Sequence, residues 1–118
     1  MGDATGYLVG YIVKMPDLEH FGEKHGIVKT KSESEKIVRI NQWVSTHKIQ
    51  PPLPLLCCAI LESGDAAGLV LTKHLCVLPE SGDVEETEHD QELKRRFATA
   101  GDLEAQSSSW KFTTIRNY

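Results

Sequence analysis

Residues 55–78 read LLCCAILESGDAAGLVLTKHLCVL, two apolar runs separated by the turn-forming Glu62, Ser63, Gly64 and Asp65. Leu55 to Leu61 is continuously apolar and Ala67 to Leu78 resumes in kind, which predicts a buried β-hairpin. With Gly64 and Asp65 as the central turn residues, Ser63 pairs with Ala66, Cys57 falls opposite Thr72 and Leu55 opposite His74. That register sends Leu56, Cys58, Ile60, Leu69, Leu71, Leu75 and Val77 to one face, expected beneath helices. Leu55, Cys57, Ala59, Gly68, Val70, Thr72, His74 and Cys76 take the other face, with Cys57 diagonal to His74 at roughly 7 Å. A slip of one residue parts the two.

Toward the N-terminus, Thr5 to Met15 (TGYLVGYIVKM) is dense in aromatic and β-branched residues and stops at Pro16, as a strand does. Alternation puts Tyr7, Val9, Tyr11 and Val13 on one face, and Gly10 marks a close approach or a bulge. From Pro16 to Lys31 periodicity is lost, predicting a loop with one helical turn from Pro16. Ser32 precedes Glu35 by three, the spacing of a capping box, and Ile37, Ile40 and Val44 recur at helical intervals, giving a helix over Ser32 to Lys48. The β-branched density of Lys36 to Val44 makes a strand the competing assignment. Pro51, Pro52 and Pro54 end the element either way.

Toward the C-terminus the Glu-Ser-Gly-Asp string recurs at Glu80 to Asp83, repeated turn chemistry rather than an architectural repeat. Seven carboxylates and no Lys or Arg lie between Glu80 and Glu92, followed by Lys94, Arg95 and Arg96. Acid before base suits a helix dipole, and Leu93, Phe97 and Ala100 form an apolar stripe. The helix is expected to begin between Val84 and Thr87 and to end near Gly101 or Ala105, with residues 16–31 and 80–90 the flexible segments. Trp110 to Ile115 reads as a last strand.

Strand, helix, strand, strand, helix, strand is an α+β order. Its simplest solution is a single domain over residues 1–118 with the ferredoxin-like βαββαβ sandwich, a four-stranded antiparallel sheet with two helices on one face and the other face open.

Composition removes several classes of function. The chain has 118 residues, 13 Lys and Arg against 17 Asp and Glu, and a net charge of −4, a field that disfavours nucleic acid. Mean hydropathy is −0.30 and no apolar run approaches the roughly 18 residues of a membrane span, so no membrane partner is expected. The first residues lack the basic end and apolar stretch of a secretory signal. Cys57, Cys58 and Cys76 are an odd set in apolar surroundings, which points to reduced thiols and a cytoplasmic setting. Metal is not expected: Cys57 and Cys58 point opposite ways in a strand, and His20 and His25 are loop histidines. Nothing in the sequence calls for a cofactor, and common phosphate-binding, calcium, zinc-protease and serine-hydrolase strings are absent.

The open sheet face is therefore the expected site, carrying Tyr7, Tyr11, Cys57, Val70, Thr72, His74, Trp110 and Phe112. Its apolar area predicts a non-enzymatic interaction or small-ligand-binding domain that self-associates through it, with a second copy, another protein or a small apolar ligand as occupant. The alternative is a small enzyme of the dimeric α+β barrel kind, an analogy of fold alone. There His74 serves as general base on a hydrophobic substrate, or prompts a Cys57 thiolate.

Overall fold

The protein is described by a computed structural model that covers residues 6–27, 32–50, 52–61 and 63–116. Elements follow the order β1 (Tyr7–Lys14), α1 (Met15–Lys24), α2 (Glu33–His47), β2 (Leu56–Ile60), β3 (Ala66–Leu75), α3 (Glu88–Ala100), α4 (Glu104–Ser107) and β4 (Phe112–Arg116). The four strands form one sheet in the order β2-β3-β1-β4, every neighbour antiparallel. The α+β class expected from the pattern is observed. No helix among the described residues is long and apolar enough to cross a membrane.

Local chemistry explains the elements. The Ser32 hydroxyl caps α2 by accepting from the Glu35 N–H, Ile37 and Ile40 are buried on one stripe, and Lys48 in the left-handed region closes the helix. Cap and stripe together override the β-branched content, so residues 36–44 are helical and not extended. Both Glu-Ser-Gly-Asp strings are turns: Gly64 and Gly82 take positive φ and donate to the carbonyls of Leu61 and Pro79.

One element departs from expectation. Residues 15–24 form a helix of ten residues, not a loop with a single turn. Pro16 lies in its first turn with Asp17 beside it, and Leu18 and Phe21, one turn apart, are fully buried. Met15, Leu18 and Phe21 recur every three residues, but with Met15 counted in the strand before Pro16 only two remain, too few to show a period. The Phe21 ring stacks on Phe97 of α3 at 5.0 Å and meets Trp43 of α2 edge-on at 5.8 Å, tying three helices together. The core cluster joins Tyr11, Val13, Leu56 and Val70 of the sheet to Leu18, Phe21, Ile37, Ile40 and Phe97, so α1, α2 and α3 all lie over one sheet face.

The hairpin register is corrected. Ile60 pairs with Ala66 and Cys57 with Leu69, not with Thr72, because the connection spans residues 61–65 and not Gly64-Asp65 alone. Leu61 accepts from Gly64 and donates to the Asp65 carbonyl, closing this longer loop. The shift of three is odd, so the β3 residues near the turn exchange faces relative to β2. Further along, Lys73 stands opposite Val9 and Leu71 opposite Gly10, leaving Thr72 as the extra residue of a β-bulge. Gly10 belongs there: a Cβ on it would come within 2.0 Å of the Val70 carbonyl oxygen. Gly10→Ala is expected to destabilise the protein by about 3 kcal/mol or more, read from denaturant midpoints, since neither central strand can retreat. A cost under about 1 kcal/mol would contradict the close approach.

Candidate functional site

The two sheet faces differ from the expected pair. Strand alternation and the observed registers place Tyr7, Val9, Tyr11 and Val13 of β1 on the helix side with Leu56, Val70 and Phe112. Tyr11, Val70 and Trp110 are buried there at 1, 0 and 6 % exposure. Tyr11 packs on Phe112 at 5.3 Å, and Trp110 donates its indole N–H to Asp17 of α1 at 2.9 Å. The six residues expected to pave an uncovered surface, Tyr7, Tyr11, Val70, Thr72, Trp110 and Phe112, therefore stand on the helix side of the sheet.

Cys57 and His74 do share the other face, yet they do not meet. Cys57 lies opposite Leu69, and His74 is five residues further along β3, roughly 16 Å away. Burial first and the neighbouring Cys58 second push the Cys57 thiol up, away from the thiolate a nucleophile needs. Among the described residues Cys57, Cys58 and Cys76 are all free, and no three His, Cys, Asp or Glu side chains gather as metal ligands would.

The bulge builds a polar cluster that the sequence did not announce. It turns Thr72 and Lys73 together toward α3, whose first turn holds the fully buried Asp90. The Lys73 ammonium reaches Asp90 Oδ2 at 3.0 Å, and the Thr87 N–H and hydroxyl both donate to the same oxygen at 2.8 Å. The Asp90 N–H returns a bond to the Thr87 hydroxyl, completing a capping box with aspartate in the third position. The Thr72 hydroxyl sits beside the carboxylate and donates to the Val9 carbonyl at 3.1 Å. Burial works to raise the Asp90 carboxyl, but Thr72, Thr87 and Lys73 outweigh it and hold the group below the usual carboxylate range.

Immediately before the Thr87 cap, Glu86 accepts the Tyr11 hydroxyl proton, and the Lys94 ammonium stands 4.9 Å from the Tyr11 ring centroid. Burial first, then the Glu86 bond, push the Tyr11 phenol far up. Two acids of the 80–92 run are thus structural anchors for α3.

The face away from the helices carries Leu8, Ile12, Leu69, Leu71, Cys57 and Ile115 across all four strands. Leu69, between Ile12 and Cys57, is closed off, and the other five are part-exposed. Lys14, Lys111 and His74 lie at its ends, and among the described strand residues no carboxylate falls on it. None of α1 to α3 packs there, and α4 packs on α3. The clearest small-molecule-sized groove lies elsewhere: ≈ 380 Å³ between Ile49 and Leu53 on one side and Arg95, Arg96 and Thr99 of α3 on the other. Both arginines are engaged there by Glu92.

No protein-family model, no curated protein and no solved structure matches the chain.

Asp90 is the more acidic in the folded state, so its contribution is full above the unfolded value near 3.9 and is lost as pH falls through the folded one. Asp90→Asn is expected to remove this acid limb of the stability curve and to cost about 2–3 kcal/mol at neutral pH, where Lys73 is left half-buried without its partner. Tyr11 has the opposite sign: its raised phenol contributes fully below about pH 10 and less above it, so Tyr11→Phe flattens the alkaline limb. Thermal melts from pH 2 to 11 check both, and parallel curves for variant and wild type would contradict the assignments.

Proposed function

We propose that the protein is a non-enzymatic interaction domain that self-associates through the sheet face opposite its helices, on a ferredoxin-like scaffold. The strand order β2-β3-β1-β4 with antiparallel neighbours supports the scaffold. The observation that carries the function is the composition of that face. Leu8, Ile12, Cys57, Leu71 and Ile115, all part-exposed, form an apolar surface across four strands, on a molecule whose net charge is −4, and among the described strand residues no carboxylate shares it. Covering such a surface stabilises by about 25 cal/mol per Å².

A second copy fits the face better than other occupants. Four strands at about 4.8 Å spacing and six residues at about 3.3 Å give a patch of roughly 19 by 20 Å. Two such patches in contact bury roughly 760 Å², the size of a weak, reversible interface. The basic groups sit at opposite ends, Lys14 and Lys111 at one and His74 at the other. A two-fold axis across the strands lays the lysine end of one copy over the partner's histidine end, so the lysines do not face each other. The separation of His74 from Cys57 removes the support for paired catalysis on this surface.

Sedimentation equilibrium tests the proposal. The wild-type mass is expected to rise above 13.2 kDa with concentration. Leu71→Glu and Ile115→Glu, each placing a carboxylate on the apolar floor, are expected to weaken the association at least tenfold while circular dichroism stays unchanged. A wild type that remains monomeric at millimolar concentration would contradict it.

A further inference from the structure

We infer that the outer edge of β2 is a strand-addition site for the β2 of a second copy, paired antiparallel about a two-fold axis through Ala59. The sheet order leaves β2 with one unpaired edge. Which residues face outward follows from two bonds: Leu71 N–H donates to the Leu55 carbonyl at 2.9 Å, and Leu61 N–H to the Asp65 carbonyl at 2.9 Å. Odd-numbered residues therefore turn their main-chain groups toward β3, and the period of two turns those of Leu56, Cys58 and Ile60 outward.

At Leu56 both outward groups are already taken. The Asn41 amide donates to the Leu56 carbonyl at 2.7 Å and accepts from the Leu56 N–H at 3.0 Å, acting as a one-residue strand supplied by α2. Cys58 and Ile60 have no such cap among the described residues. Their side chains also share one side of the strand and are exposed, Ile60 at 68 %. The edge LCCAI contains no charge and no proline, the devices that usually keep such an edge single.

These facts select a register. An axis at Ala59 sets Cys58 against the partner's Ile60 and Ile60 against the partner's Cys58, each pair exchanging two main-chain hydrogen bonds. Both exposed apolar side chains are then covered, and Asn41 stays in place. An axis nearer Leu56 has to displace the Asn41 amide, which makes two good bonds. The contact is isologous, as a two-fold interface requires.

The edge pairing stands without the face contact, but it also predicts what the two make together. The edge axis runs perpendicular to the sheet and the proposed face axis runs within it. The edge axis at Ala59 stands level with Lys14, whereas the face axis passes midway between Lys14 and Leu8, about 10 Å away along the strands, so the two axes do not intersect and the two contacts together generate an open row of dimers. This last step rests on the proposed function.

Cross-linking tests the edge directly. Ile60→Cys in a Cys57→Ser, Cys76→Ser background leaves one thiol at 58 and one at 60, expected about 5.5 Å apart between Cα atoms across the interface, within disulfide range. Diamide takes up the two electrons and two protons released per bond. A covalent dimer is expected to form at least tenfold faster than in a control carrying Val38→Cys, an exposed α2 position, in place of Ile60→Cys. It is expected to persist when Leu71→Glu is added to sever the face contact. Cross-linking no faster than the control overturns the inference. Native mass spectrometry separates the two contacts: the wild type is expected in species larger than a dimer, and Ile60→Lys and Leu71→Glu each as a dimer. If Ile60→Lys leaves the mass unchanged, the edge pairing fails and the face proposal stands. If only Leu71→Glu leaves it unchanged, the face proposal fails and the edge stands.

Discussion

Thr72, one residue more than its partner strand can match, sets the rest of the molecule. Without the bulge opposite Val9, strict alternation would carry Lys73 to the apolar face and His74 beneath the helices. With it, Lys73 turns inward to the fully buried carboxylate of Asp90, and His74 turns out. The close approach of Gly10 to the Val70 carbonyl leaves no room for a side chain at this crossing, so β1 and β3 are held in this register by shape as well as by hydrogen bonds.

The same constraint fixes where α3 begins. A helix opened by Thr87 could start anywhere along an acidic stretch with so many carboxylates. It starts here because Asp90 is held from two sides, by the Thr87 cap and by Lys73 of the bulge. Glu86 on Tyr11 adds a second tie immediately before the cap. Phe97 then falls on Phe21, and the aromatic stack through Phe21, Trp43 and Phe97 draws α1 and α2 onto the same sheet face. The other face remains without a helix.

Much of this was legible in the chain. Ser32 with Glu35, the stripe Ile37 and Ile40, the prolines after α2 and the Gly64 turn were enough for the strands, two helices and their order. Gly10 announced its bulge. What the sequence withheld were lengths and parities. Met15 continues the spacing of Leu18 and Phe21 but read as the end of the strand before Pro16, so α1 was hidden. The Ser63-Gly64-Asp65 string fits both a two-residue turn and a five-residue connection, and the difference is odd, so every β3 side chain near the turn was assigned to the wrong face. The bulge then reversed parity again, which returned His74 to the side of Cys57 but far along the sheet. Of the aromatics named as a surface pavement, Tyr11 and Trp110 became core, with polar partners, Glu86 and Asp17, that only the folded chain brings near. The face without helices carries Leu71 and Ile12, of which Leu71 had been read as lying beneath the helices.

The central claim is that this aliphatic face meets its own copy. An isotope-filtered nuclear Overhauser experiment on a mixture of labelled and unlabelled protein observes such a contact directly. The account predicts intermolecular cross-peaks from the methyl groups of Leu8, Ile12, Leu71 and Ile115, and none from Ile37 or Ile40 beneath the helices. Intermolecular peaks confined to helix methyls, or none at a concentration where the mass exceeds that of a monomer, would contradict it.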